Sequence, residues 1–341
     1  MRIAIKSAVS LSLGASIGLL GLQSLANAEP LKLRYASSAP PKTVWAMQTE
    51  RLAKDVNELS KGTVQIDAFI NSQLGSEQDT IAQIARGRID MGGYSITAGA
   101  LIVPELALLN LPFLFDNKAQ QDCAFDQHLY KPIEAMFAKK GLQFMGYAHV
   151  GETNIIGTKP YTTPDLLKGV KARAQPTKLG PYLWTAFGAN PNPLPVTEWA
   201  AAHQSGLVDV ADAPMTFYVF AGLGKVAPVL TATRHLDHAG IIVMNKKIFD
   251  KLPESAQKAL AGAAERSPAS KQRAEVRGFE VKVAQMHLTK GGTIVELTPQ
   301  QRKVWRDGME ASWTAAVKAM GGQSNQFWQQ IQTAIKACSK T

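Results

Sequence analysis

The chain has 341 residues, 45% of them hydrophobic and 19% charged, with a formal net charge of +10. This composition excludes a disordered or fibrous chain and is enough for one large domain or two medium ones. No basic run exceeds two residues (Lys139-Lys140, Lys246-Lys247) and aromatics do not interleave with them, so no nucleic-acid partner is expected.

The first 28 residues differ from the rest. Arg2 and Lys6 give a positive start, Val9 to Leu22 is apolar with small residues, and Ala26-Asn27-Ala28 is a small-x-small cleavage site. A secretory signal peptide over 1–28 is predicted, with the mature chain starting near Glu29 in the periplasm and two positive charges fewer. No later run approaches the ~18 apolar residues of a membrane span. Cys123 and Cys338 have neither CxxC nor metal spacing. Export permits a disulfide between them, and spacing alone leaves the bond open.

In chain order, Leu31 to Ala36 alternates like a strand and ends in a Ser/Pro turn. A helical pattern starts at Thr43 and stops at Lys61-Gly62; Val64 to Ile70 reads as a strand. Ser76 with Asp79 forms a capping box for a helix ending before Gly87, and Ile89 to Gly93 is a short strand. Strand, helix and strand in this order predict a partly parallel sheet. Leu101 to Phe115 is apolar but broken by Pro104 and Pro112. A helix is predicted over 120–140 and a strand over 142–149.

The same grammar then returns. Pro164 sits at a helix start, Val170 to Arg173 is strand-like, 178–187 is helical, and Thr197 is placed to cap a helix over 198–204. Gly206-Leu-Val-Asp209-Val repeats the phrase Gly87-Arg-Ile-Asp90-Met, and two duplicated lobes are the economical reading. His238 to Met244 is another strand. A helix from Pro253, bent near Pro268, is predicted to reach Thr289 and to run under both lobes. Thr293 to Leu297 is a strand, Thr298 with Gln301 is a capping box, and Trp305, Trp313 and Trp328 are core candidates.

The search for chemistry returns little catalytic signal. The GxSxG at Gly14-Ala15-Ser16-Ile17-Gly18 lies in the signal peptide, and there is no HExxH, P-loop or GxGxxG. His235 and His238 lack a third ligand for zinc, so no metal and no cofactor are predicted. Asp90 and Asp209 read as caps of their own turns. Ligands of parallel sheets sit beyond the carboxyl ends of strands. Such ends carry Tyr94 and Ser95, Arg173 and Gln175, and Asp212. An arginine fork matches a carboxylate with two parallel hydrogen bonds, although a surface arginine is the commoner case.

The phrases Asn71-Ser72-Gln73-Leu74-Gly75-Ser76-Glu77, Leu111-Pro112-Phe113-Leu114-Phe115 and Leu167-Lys168-Gly169-Val170-Lys171-Ala172-Arg173 occur in that order. Pro195-Val196-Thr197-Glu198-Trp199, Thr233-Arg234-His235 and Val243-Met244-Asn245-Lys246 follow them. Together they resemble the substrate-binding proteins of TRAP (tripartite ATP-independent periplasmic) transporters, DctP type. The resemblance implies a two-lobed, periplasmic-binding-protein-like α/β fold whose lobes are joined by crossing strands and a long helix. It implies no catalysis, but capture of an organic acid and delivery to small and large membrane subunits. The family's carboxylate-binding arginine falls on Arg173.

The predicted lobes are residues 29–150 with 239–278, and 151–238 with 279–341 including the C-terminal helices. The receptor is expected to be a monomer. Asp212-Ala213 replaces the family's usual Glu-Asn, Thr153 stands where sialic-acid-type members carry a basic residue, and Ser95 and Ala98 replace charged ones. These departures favour a monocarboxylate, or a modestly apolar or aromatic acid, over sialic acid. Tyr94, Val196, Met215 and Tyr218 are candidate walls, each with core packing as the alternative. An ABC-type or sensor-linked binding protein and a secreted hydrolase are the rival classes.

Overall fold

A computed structural model describes residues 29–340; the predicted signal peptide lies outside them. β1 (Leu31–Ser37) turns Leu33 and Tyr35 inward, and α1 (Val44–Leu59) starts where the Thr43 side chain accepts the Ala46 N–H. β2 (Val64–Phe69) follows, then α2 (Glu77–Ala85), opened by the Ser76–Asp79 capping box. β3 (Met91–Ser95) runs into α3 (Ile96–Ile102), and Pro104 opens a 3₁₀ stretch to Asn110.

The helix predicted over 120–140 is three pieces: α4 (Lys118–Cys123), a π-helical turn (Ala124–Leu129) and α5 (Tyr130–Lys139). β4 (Leu142–Gly157) is the first crossing strand. The second half contains β5 (Lys171–Ala174), α6 (Gly180–Thr185), β6 (Asn190–Pro193), α7 (Trp199–Gln204), β7 (Val210–Pro214) and α8 (Met215–Phe220). Thr197 does not cap: it lies inside a 3₁₀ turn (Val196–Glu198), and α7 opens without a side-chain cap.

The second crossing strand is β8 (Val229–Asn245). After α9 (Lys246–Lys251), the long helix predicted from Pro253 proves to be two, α10 (Glu254–Arg266) and α11 (Ala269–Thr289). Pro268 disfavours helical geometry at Ser267 and lacks an N–H, so it separates them instead of bending one. β9 (Thr293–Glu296), α12 (Pro299–Glu310), α13 (Trp313–Met320) and α14 (Ser324–Ala337) complete the chain. Of the three tryptophans, Trp305 is fully buried and the other two are half-buried.

The strands form one nine-stranded sheet in the order β2-β1-β3-β8-β4-β7-β5-β6, with β9 beside β8. β1 is parallel to β2 and β3; β5 is parallel to β6 and β7. β3 then meets β8 antiparallel, as β7 meets β4. The halves are therefore built alike, and β4 and β8 pair along most of their lengths through both of them.

The repeated Gly-x-x-Asp phrase has one structural job in each half. Gly87 and Gly206 end their helices with left-handed φ of 73° and 67°. Asp90 then accepts the Arg34 N–H of β1 at 2.6 Å, and Asp209 accepts the Lys171 N–H of β5 at 3.3 Å. Neither aspartate merely caps its own turn. Each ties the incoming strand to its parallel neighbour, so β3 and β7 begin just after the aspartate.

Cys123 and Cys338 are bonded, with Cα atoms 5.9 Å apart. α14 packs Phe327, Ile331 and Ala334, one face at helical spacing, into the core cluster of Leu106, Leu129 and Phe137. The C-terminal helix thus packs on the first half, whereas the sequence reading grouped 279–341 with the second. The closed loop is long, so Cys338→Ser should destabilise the oxidised protein by about 2–4 kcal/mol. Thermal unfolding would read this as a lower Tm; an unchanged Tm would mean that packing alone holds α14.

Candidate ligand-binding site

A cavity of about 540 Å³ lies between the halves, at the carboxyl ends of β1, β3, β5 and β7 and against the crossing strands. Tyr94, Ser95, Thr153, Arg173, Gln175, Val196 and Asp212 all line it. Met215 and Tyr218 do not. α8 turns both into an apolar cluster with Leu223 and Leu230, and the Tyr218 hydroxyl donates to the Ala227 carbonyl at 2.8 Å.

Arg173 ends β5 and is 2% exposed. Its Nε and Nη2 both donate to the Leu194 carbonyl, at 2.9 and 2.7 Å, and its guanidinium carbon sits 4.2 Å from the centre of the Trp199 ring. These partners satisfy part of the donor fork and leave the charge without a carboxylate salt bridge among the described residues. Burial pulls its pKa down to about 9, opposed by the fields of Asp212 and Glu77, so the group is still a cation at neutral pH.

Neither of the acids around it, Glu77 and Asp212, forms a salt bridge with it among the described residues. Glu77, at the start of α2, accepts from the Ser95 N–H (2.8 Å) and the Ser95 hydroxyl (2.6 Å), and burial raises its pKa. Ser95 also accepts the Ala98 N–H and so caps α3; its hydroxyl proton is already committed. Burial pushes the Asp212 carboxyl up, but His235 at 3.7 Å, Arg173 and His238 together hold it below the usual range. Asp212 Oδ1, Thr153 Oγ1 and Trp199 Nε1 are buried with no hydrogen-bond partner among the described residues. All three residues line the same cavity as the guanidinium.

Opposite, the Thr97 hydroxyl donates to Gln175 Oε1 at 3.1 Å and lies 3.0 Å from His238 Nε2, while Asn110 donates to it at 3.0 Å. This cluster joins the first half, the second half and crossing strand β8. His238 is buried, and desolvation drives its pKa to about 4. Glu77, Thr97, His149, Trp199 and His238 are cavity residues that sequence reasoning did not single out as ligand candidates. Glu77 and Trp199 lay inside the quoted phrases. Thr97 and the histidines reach the cavity only through the β3–β8 and β4–β8 pairings.

A buried cation in a cavity between two similar α/β halves defines a two-lobed solute-binding receptor. The chain belongs to the DctP family, bacterial extracellular solute-binding protein family 7, whose model matches residues 35–319. It is 30% identical over 218 residues to the 2,3-diketo-L-gulonate-binding periplasmic protein YiaO of Escherichia coli, covering 62% of this chain and 66% of that one. Its fold is similar to the sugar acid binding protein DctPAm from Advenella mimigardefordensis in complex with galactonate, with TM-score 0.85, 22% identity and coverage of 92% and 99%. A TRAP periplasmic solute-binding protein from Roseobacter denitrificans with bound β-D-glucuronate gives TM-score 0.82, 23% identity and coverage of 90% and 99%.

His238 makes the site acid-sensitive. Its folded pKa of about 4 lies below the ordinary 6.5, so between these values the unfolded chain binds a proton that the folded chain refuses. Stability should fall as pH drops through that window, by on the order of 3 kcal/mol from this group. His238→Gln should flatten the profile in urea titrations; an unchanged slope would assign the acid sensitivity to other groups.

Proposed function

We propose that this protein is a periplasmic receptor that captures a small organic acid with one carboxylate. It closes its lobes over the ligand and passes it unchanged to the small and large membrane subunits of a TRAP-type secondary transporter. The observation that carries this reading is Arg173, a buried guanidinium facing the interlobe cavity whose direct partners among the described residues are a carbonyl and an indole ring. A carboxylate meets such a fork with two charge-assisted bonds.

Arg173 is the one lysine or arginine among the lining residues, whereas Glu77 and Asp212 are close enough to shift its pKa. A second carboxylate would find repulsion rather than a partner, so a monocarboxylate fits best. The ligands named for the three relatives above, galactonate, glucuronate and 2,3-diketo-L-gulonate, are acids of this kind, although another relative is named for C4-dicarboxylates. Export through the Arg2-to-Ala28 leader with cleavage near Glu29 places the mature receptor in the periplasm, and no helix among the described residues is long and apolar enough to cross a membrane. We read the protein as a monomer that works without metal or cofactor and turns nothing over.

A thermal-shift screen of organic acids identifies a ligand, and calorimetry then tests the site. Arg173→Ala should weaken binding by about 3–5 kcal/mol, because it leaves a buried carboxylate unpaired. Arg173→Lys should also bind more weakly, since an ammonium cannot offer two parallel N–H groups. Wild-type affinity in Arg173→Ala would refute the assignment.

A further inference from the structure

The cavity does not end at the guanidinium. It continues into the first half, between α1, α10 and the sheet, along a wall made by Tyr35, Leu52, Met91, Met145, Ile242 and Leu260. All six belong to, or pack against, the apolar cluster that α1 and α10 close. The lining then reaches Glu265, Pro268 and Ser270 at the break between α10 and α11, and these three are exposed. The space therefore has a cationic end at Arg173, an apolar arm, and a mouth at the Pro268 break.

The other lining residues include Gln78, Tyr94, Tyr147 and Ser267, whose buried polar atoms have no hydrogen-bond partner among the described residues. A polyhydroxylated acid is a poor match for the apolar wall itself. A hydroxyl buried against Leu52, Met91 or Leu260 gives up water without gaining a partner there, which weakens binding. A methylene placed there is instead removed from water at a gain of about 0.8 kcal/mol. The cavity volume of about 540 Å³ is also in the range that holds a guest much larger than a two- or three-carbon acid.

We infer that the ligand is an amphipathic monocarboxylate, with its carboxylate on Arg173 and an unbranched aliphatic or arylalkyl body in the arm beside α10. This rests on the receptor reading above and adds the direction and chemistry of the rest of the ligand. The break at Pro268 gives the arm an open end, so acids of different length are accommodated with one head position. The relatives named for sugar acids need not share this feature, because it is made by side chains on α1, α10 and the sheet face rather than by the arginine.

Calorimetry on the full mature chain with butanoate, hexanoate, octanoate and galactonate tests it. Affinity should rise about fourfold per added methylene until the arm is filled, and octanoate should bind more tightly than galactonate. Ala263→Leu, at a residue of α10 that also lines the cavity within the same apolar cluster, adds bulk to the arm and should cost octanoate at least about tenfold more than butanoate. Met145→Ala, which widens the arm without overpacking it, serves as the second variant; it should shift the preference toward arylalkyl acids such as 4-phenylbutanoate. Affinities that stay flat across the series, or a preference for galactonate, with binding still lost in Arg173→Ala, would overturn the arm and leave the receptor standing. Equal binding by wild type and Arg173→Ala would instead remove the receptor reading itself.

Discussion

Taking a guanidinium out of water costs several kcal/mol unless an anion or a dense set of acceptors replaces the solvent. Around Arg173 the replacement is partial. One carbonyl, Leu194 O, receives two of its N–H groups, and the face of Trp199 receives its charge. Asp212 and Glu77 contribute field from a distance; Glu77 is held back by its bonds to Ser95, and Asp212 lies 3.7 Å from His235. If either carboxylate reached Arg173, the charge would be neutralised internally and the cavity would lose its attraction for anions. The fixed positions of Ser95 and His235 are therefore as much a part of the site as the arginine.

Those positions depend on the two-fold repetition of the sheet. Asp90 and Asp209 pin β3 and β7 to β1 and β5 in the same way, which sets where each strand ends and hence which side chains face the cleft. Between the halves, β4 shifts register against β8 at three points, between Phe144 and Gly146, His149 and Gly151, and Thr153 and Ile155. Bulges bend a ribbon without breaking it. Gly151 has a φ of 115°, a conformation that favours glycine at this bend, and a Cβ there would stand 2.2 Å from Glu280 Oε1 of α11, which accepts the Glu152 N–H. Arg277 joins Asp122 to Asp237 at the same crossing, at 2.7 and 2.6 Å, and Asp237 lies 3.0 Å from His149.

Local chemistry made much of this readable in the sequence. Both capping boxes, the repeated Gly-x-x-Asp phrase and the strand before Arg173 are short-range signals, and each appears in the structure. Long-range packing hid the rest. The π-helical turn sits inside a continuous helical pattern, and nothing in that pattern marks the extra residue. The docking of α14 on the first half follows from a face shared with Leu106 and Phe137, more than a hundred residues away. Met215 and Tyr218 have the polarity of cavity walls, yet the first turn of α8 points them into the core. Glu77 was in plain view as the residue after a helix cap, but its place beside the cavity depends on where Ser95 lies.

In the closure we propose, the contacts between the halves set the balance of open and closed forms. Thr97 to Gln175 is a neutral hydrogen bond from the first half to the second, worth about 1 kcal/mol net. Lys178, in the bend before α6, donates to the Met320 carbonyl at the end of α13 at 2.6 Å and adds a second polar tie. Apolar packing adds to these, since Leu179 belongs to the core cluster of the first half and Tyr182 and Leu183 pack against it; a population shift from mostly open to mostly closed takes about 5 kcal/mol or more of differential binding. In the function we propose, a carboxylate reaching Arg173 while its body touches the first half supplies an interaction of that order only when both halves enclose it. Selectivity and closure then have one origin: a guest that lacks the anion, or cannot reach across the cavity from Arg173, has nothing with which to favour the closed form.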